Sequence, residues 1–311
     1  MRSHHSRDAA TRRSATVLAL FAITACAPDS SVAPRVESDV TATLSRQTTT
    51  KGRILFHVES DFVTRLYSMN DDGTNILAIS DGVAEVSGAS WAPDGKRIIV
   101  SATVDAAVVQ FAVHSMNQDG SKITTLTTPP VGCNDLFPVS IAKQIAFVRQ
   151  CGADMILVIM NADGTGLSAL ATGLDRPLIG ASTKANQVAY SKGGDIWVVS
   201  VGTGMHTNLS NTPTLSEFQP VFSPSGKRIA FVRDDATGAR RIFTMDADGA
   251  MLTLIATDAV SPVWSPDGKR LAYSDRSDGV ADIVVTNADG TVVTNVTGTS
   301  IIAESPVAWA P

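Results

Sequence analysis

From Gly52 onward the chain alternates short apolar runs with polar turns, and the same order of turns returns at intervals of about 40 to 47 residues. Each period opens on Ser/Ala-Pro-Asp/Ser-Gly-Lys-Arg, passes through a β-branched or aromatic run, and closes on Asn/Asp-x-Asp-Gly. The clearest copies are Ser223-Pro224-Ser225-Gly226-Lys227-Arg228 with Asp246-Ala247-Asp248-Gly249, and Ser265-Pro266-Asp267-Gly268-Lys269-Arg270 with Asn287-Ala288-Asp289-Gly290. A third runs from Ala92-Pro93-Asp94-Gly95 to Asn117-Gln118-Asp119-Gly120. Runs such as Ile98-Ile99-Val100 and Ile229-Ala230-Phe231-Val232 suit strands, and Asp-Gly supplies the positive φ of a tight hairpin. Each period therefore predicts four strands, the first ending in Trp91, Phe222 or Trp264.

Weaker copies run from Lys143 to Gly164 and from Gln187 to Gly204, the latter without either turn signature. The first unit starts directly at Gly52-Arg53-Ile54 and lacks an opening strand. Ser305-Pro306-Val307-Ala308-Trp309, at the far end, repeats Ser261-Pro262-Val263-Trp264 and supplies it. Residues 51–311 divide into six units of about 43 residues. The expected fold is all-β: a six-bladed propeller of four-stranded antiparallel blades, its ring closed by the C-terminal strand, which removes the open sheet edges.

These tandem turns and strands resemble the TolB-type, WD40-like β-propeller repeat family over Lys51–Pro311. The resemblance implies a rigid scaffold. It leaves the biochemical role open, because such repeats also accompany peptidases and lyases.

Ahead of the repeats, Arg2, Arg7, Arg12 and Arg13 precede an apolar run, Ala15–Ala25, too short to span a bilayer. Ile23-Thr24-Ala25-Cys26 resembles a bacterial lipoprotein processing site, which makes residues 1–25 a signal peptide and Cys26 the lipidated first residue. Ala27 fits outer-membrane sorting. Residues 26–50, rich in Ser, Thr, Ala and Pro, read as a flexible tether with a reach of about 25 to 30 Å. Losing residues 1–25, with four Arg and one Asp, moves the formal charge from −5 to −8. An acidic mature chain disfavours nucleic acid and anionic lipid surfaces as partners.

In an oxidising compartment Cys133 and Cys151, nine residues either side of a turn near Ala142, are expected to face each other and form a disulfide. No Gly-x-Ser-x-Gly elbow is present, and His57, His114 and His206 stand alone. The Asn-x-Asp-Gly turns lack the acidic ladder of a calcium loop. No metal and no cofactor are expected.

The two kinds of turn fall on one face of the disc, here the turn face. Middle loops and blade-to-blade links fall on the other, the loop face, which carries Asp61, Asp105, Lys192, Arg233, Asp234, Asp235, Arg240, Asp275, Arg276 and Asp278. Just before each innermost strand sits an acid: Glu85, Asp135, Asp175, Glu217, Asp258 and Glu304. Six such carboxylates would ring the channel mouth and attract a basic partner segment or a divalent cation. The function read from the sequence is a monomeric, non-catalytic envelope lipoprotein scaffold with a protein partner. A hydrolase or lyase acting on a glycan or peptide at the mouth is the alternative.

Overall fold

The computed structural model describes residues 52–310 except 61–62, 81, 93, 104–109, 213, 236 and 299–302. The expected signal peptide (1–25), the expected lipidation site Cys26 and the expected tether lie outside the described residues, as do Asp61 and Asp105. Six four-stranded antiparallel sheets form the blades. Blade one holds β1 (Arg53–Ser60), β2 (Val63–Asn70) and β3 (Leu77–Ala78); blade two holds β4 (Glu85–Trp91), β5 (Arg97–Thr103), β6 (Ala112–Asn117) and β7 (Thr124–Thr125). Blade three is β8 (Cys133–Ile141), β9 (Gln144–Cys151), β10 (Asp154–Asn161) and β11 (Ser168–Thr172); blade four is β12 (Gly180–Ser182), β13 (Gln187–Lys192), β14 (Asp195–Ser200) and β15 (His206–Asn208). Blade five comprises β16 (Ser216–Phe222), β17 (Arg228–Asp234), β18 (Arg240–Asp246) and β19 (Thr253–Thr257). Blade six comprises β20 (Ala259–Trp264), β21 (Arg270–Asp275), β22 (Asp282–Asn287) and β23 (Thr294–Asn295).

The last strand, β24 (Ala303–Trp309), is the innermost strand of blade one and pairs with β1, Ile54 opposite Trp309 and Val58 opposite Glu304. The predicted closure is therefore present. The amide of Ala310 donates to the Arg53 carbonyl at 2.7 Å, and Arg270 of blade six reaches Asp71 of blade one at 2.6 Å.

Buried apolar side chains gather between blades. Phe231 and Met245 of blade five meet Ile196 and Val198 of blade four, and Phe56 of blade one meets Ile283 and Val285 of blade six. A blade's two faces are both covered, which explains why its middle strands are apolar throughout rather than alternating.

The repeated turns explain themselves locally. In Asn287-Ala288-Asp289-Gly290-Thr291, Asp289 accepts from the Thr291 amide at 3.0 Å and hydroxyl at 2.6 Å, and the Asn287 side chain donates to the same hydroxyl at 3.1 Å. Asp72, Asp119 and Asp163 repeat this, and in all four turns these hydrogen bonds hold the Asp below its ordinary pKa. The turn glycine has a second role. Gly120 sits at φ +78°, and a Cβ there would lie 2.0 Å from the Ile79 carbonyl of the neighbouring blade. Only glycine permits that approach.

Candidate functional site

Six innermost strands, β4, β8, β12, β16, β20 and β24, enclose a channel of about 730 Å³. In each sheet the innermost strand is terminal, so its outer edge carries no sheet partner. An unpaired edge invites strand addition by another chain. Four of the six strands carry proline there, Pro138, Pro220, Pro262 and Pro306, all on the channel wall. Proline has no N–H to donate. The register to the next strand slips beside each: between Leu136 and Val139, Phe218 and Val221, and Val260 and Val263, and opposite Leu55 and Phe56 for Pro306. Phe137, Gln219 and Ser261 take φ of 49°, 54° and 57° at three of these bulges. Bulge and proline together blunt the edge, so the channel wall resists strand addition and presents side chains and shape instead.

At the turn-face end Trp91, Phe222, Trp264 and Trp309 complete the wall. At the loop-face end stand His57, Glu59, Glu85, Phe111 and Arg276. His57 is the chemically distinctive group: its Nε2 is shut off from solvent with no hydrogen-bond partner among the described residues. Burial pushes its pKa down to about 4, so it is neutral at pH 7. Among the described residues no group of three His, Cys, Asp or Glu is placed to hold a metal ion.

The six predicted mouth carboxylates are not brought together, and Glu85 alone of them lines the channel. Asp135, fully buried, is clamped by Arg149 through two hydrogen bonds of 2.7 and 2.9 Å. Glu217, equally sequestered, is held by Arg233, whose guanidinium lies 4.7 Å from the Phe243 ring. A buried carboxylate without a cation is costly, and here the cation lies directly across the hairpin. Glu304 is buried, its amide and carbonyl bonded to Ala281 and Ser274 of blade six. Asp175 and Asp258 are exposed in links, Asp175 accepting from the Gly194 amide at 2.8 Å. These acids act chiefly within and between blades.

Two of the missed partners carried a sequence signal. Arg149 and Arg233 mirror their acids across a hairpin just as Cys151 mirrors Cys133. Those cysteines are disulfide-bonded on the loop face, with Cα atoms 4.2 Å apart. The loop residues of blade five form one cluster: Arg240 contacts Asp234 at 3.4 Å, Arg241 contacts Asp235 at 2.8 Å, and Arg176 stacks 4.2 Å from the Phe218 ring. Arg241 carries no repeat or spacing signal in the sequence.

Residues 140–311 match the family model described as the TolB beta propeller domain. Among solved structures, TolB from Acinetobacter baumannii superposes with a TM-score of 0.70 at 18% identity, covering 84% of this chain and 67% of that one. A protein assigned as TolB from Agrobacterium tumefaciens gives 0.58 at 16% identity, covering 82% and 91%. An oligogalacturonate lyase in complex with manganese gives 0.53 at 10% identity, covering 79% and 73%. Identities this low speak for the fold alone. No curated protein matches the chain.

Proposed function

The chain belongs to the TolB β-propeller family, and from that premise we propose that it is a non-catalytic, lipid-anchored interaction scaffold of the bacterial envelope. Its partner is an envelope protein, received at the loop-face mouth of the channel. The observation that carries this reading is the channel itself: a volume of about 730 Å³ walled by proline, small and aromatic residues, with its strand edges blunted. Among the described residues the mouth offers Glu59, Glu85 and Arg276 for charge selection and no carboxylate–histidine pairing suited to acid–base work. A neutral His57 without a partner is a poor general base. The lyase fold relative raises the alternative, a hydrolase or lyase acting on glycan or peptide, and the wall chemistry does not favour it.

A photo-crosslinking amino acid replacing Arg276 in cells should trap a protein adduct that the same group at Lys227, on the turn face, does not. Glu59→Lys with Glu85→Lys should weaken that capture without lowering the melting temperature. No adduct at 276, or cleavage of a glycan or peptide by the purified chain that His57→Gln abolishes, would overturn the scaffold reading. Anchoring is tested separately. Cys26→Ser should lose acyl label and leave the membrane fraction, because a tether of this composition has no other apolar segment to hold a bilayer.

A further inference from the structure

Among the described residues, eight of the nine exposed large hydrophobics share one location: Leu77, Leu167, Met205, Met251, Leu252, Leu254, Val292 and Val293 all follow the second turn of their blade, at the outer rim of the turn face. Val131 alone lies elsewhere. The densest arc spans three adjacent blades, with Met205 67% exposed in blade four, Met251 75% in blade five and Val292 73% in blade six. Scattered exposed apolar side chains are ordinary, but a row in one structural position is not.

Backbone conformation sharpens the point. Met251 and Val292 take φ of 56° and 55°, where the corresponding turns of blades one and three use Asn75 and Gly166. Left-handed φ is unfavourable for a β-branched residue, and full exposure gains Val292 nothing in the core. Neither the turn nor the solubility of the disc calls for these residues.

Lysine divides by face as well, and offsets the turn aspartates there. Lys96, Lys122, Lys143, Lys184, Lys227 and Lys269 all lie on the turn face, and Lys192 is the one described lysine on the other. In blades five and six the lysine is bonded to the turn that leads to the apolar tip: the Ala247 amide donates to the Lys227 carbonyl and the Ala288 amide to the Lys269 carbonyl, both at 2.8 Å. On the loop face carboxylates outnumber basic groups, so the acidity that argued against lipid for the whole chain is concentrated there. β1 also starts on the turn face, in the blade next to blade six.

We propose that the turn-face arc of blades four to six docks on a lipid bilayer surface, Met205, Met251, Leu252, Val292 and Val293 entering the interface while Lys184, Lys227 and Lys269 meet anionic headgroups. The anchored disc then stands with its acidic mouth facing away from the membrane. This rests on the proposed anchoring for proximity alone, so the test replaces the lipid. The mature chain, with a hexahistidine segment in place of Cys26, is tethered to vesicles of phosphatidylethanolamine and phosphatidylglycerol carrying a nickel-chelating lipid. An environment-sensitive nitrobenzoxadiazole dye is attached at Met251→Cys, Val292→Cys or, on the loop face, Asp278→Cys. Emission at 251 and 292 should shift to the blue and rise several-fold on vesicles, be quenched by brominated acyl chains, and weaken with added salt; the dye at 278 should stay aqueous. Aqueous emission at all three positions on the vesicles, or a blue shift at 278, overturns the docking face. A blue shift at 251 that needs raised protein concentration and no vesicles assigns the arc to a second copy of the chain and overturns it equally. Failure here leaves the acylation of Cys26 standing, and loss of acylation leaves this result standing.

Discussion

The repeated turn aspartates find their partners within a few residues; the buried acids of the loop face find theirs across a hairpin. Asp289 bonds to Thr291 two positions on, and Asn287 reaches Thr291 four positions on. Asp135 needs Arg149, fourteen residues away, and Glu217 needs Arg233, sixteen away. Local satisfaction makes a turn that tolerates repetition, because its side-chain hydrogen bonds close within the turn. Non-local satisfaction ties each loop to one neighbour, and such loops diverge from blade to blade.

The contrast can be broken at its largest joint first. Deleting residues 304–311 removes β24, exposes the edge of β1 and strips Trp309 from the core, so stability should fall by about 5 kcal/mol or more, enough to unfold an ordinary domain. A truncated chain that melts with the full one by circular dichroism would refute closure by pairing. Next in size, Asp135→Ala should cost about 3 to 5 kcal/mol by stranding Arg149, and Asp135→Leu with Arg149→Leu should restore most of it. Chemical denaturation of the three variants reads this directly.

A smaller effect separates the turns themselves. Gly120→Ala combines left-handed strain with a backbone clash and should cost about 2 kcal/mol or more, whereas Gly204→Ala, at φ +68° in open space, should cost about 1 kcal/mol. Equal costs would mean that the inter-blade approach at Gly120 carries no energetic weight.

Acid should separate the faces by pH, with the smallest amplitude. The His57 pKa is lowered from 6.5 to about 4, so its neutral form supports the fold above pH 6.5, and that support fades as the pH falls through this interval. The turn aspartates have lowered pKa values, so their contribution persists above the unfolded carboxylate range and is lost only below about pH 4. Melting temperature should therefore decline first between pH 6.5 and 4, and His57→Gln should remove that early decline only.

How far the sequence could be read follows the same line. Blade number, strand order and closure were legible because their determinants are local and repeated: Pro-Asp-Gly, Asn-x-Asp-Gly, and the orphan strand Ser305–Trp309. Blade four was faint because its innermost strand shrinks to Gly180–Ser182, where Gly180 packs so tightly on Pro220 that a Cβ would lie 2.4 Å from its carbonyl oxygen. The carboxylate ring did not survive, because position ahead of a strand says nothing about which way the pleat turns a side chain. The opposition of Cys133 and Cys151 about Ala142 is subtler. Nearest the turn, Ile141 pairs with Gln144, a register that would set Cys133 opposite Gly152. The bulge at Phe137–Pro138 shifts it by one and brings the cysteines face to face.

Ring closure also decides how the molecule bears a load. Because β1 lies between β24 and β2, the first strand of the propeller is held between two partners rather than at a margin. Tension entering at Arg53 runs along β1, and the hydrogen bonds on both sides resist together in shear instead of opening one after another. An N-terminal strand placed at the margin of its sheet would instead be peeled one hydrogen bond at a time. Optical-trap pulling from residue 52 against a handle at Asp278 should give a single high-force rupture; a staircase of low-force steps would show that the ring opens at its seam.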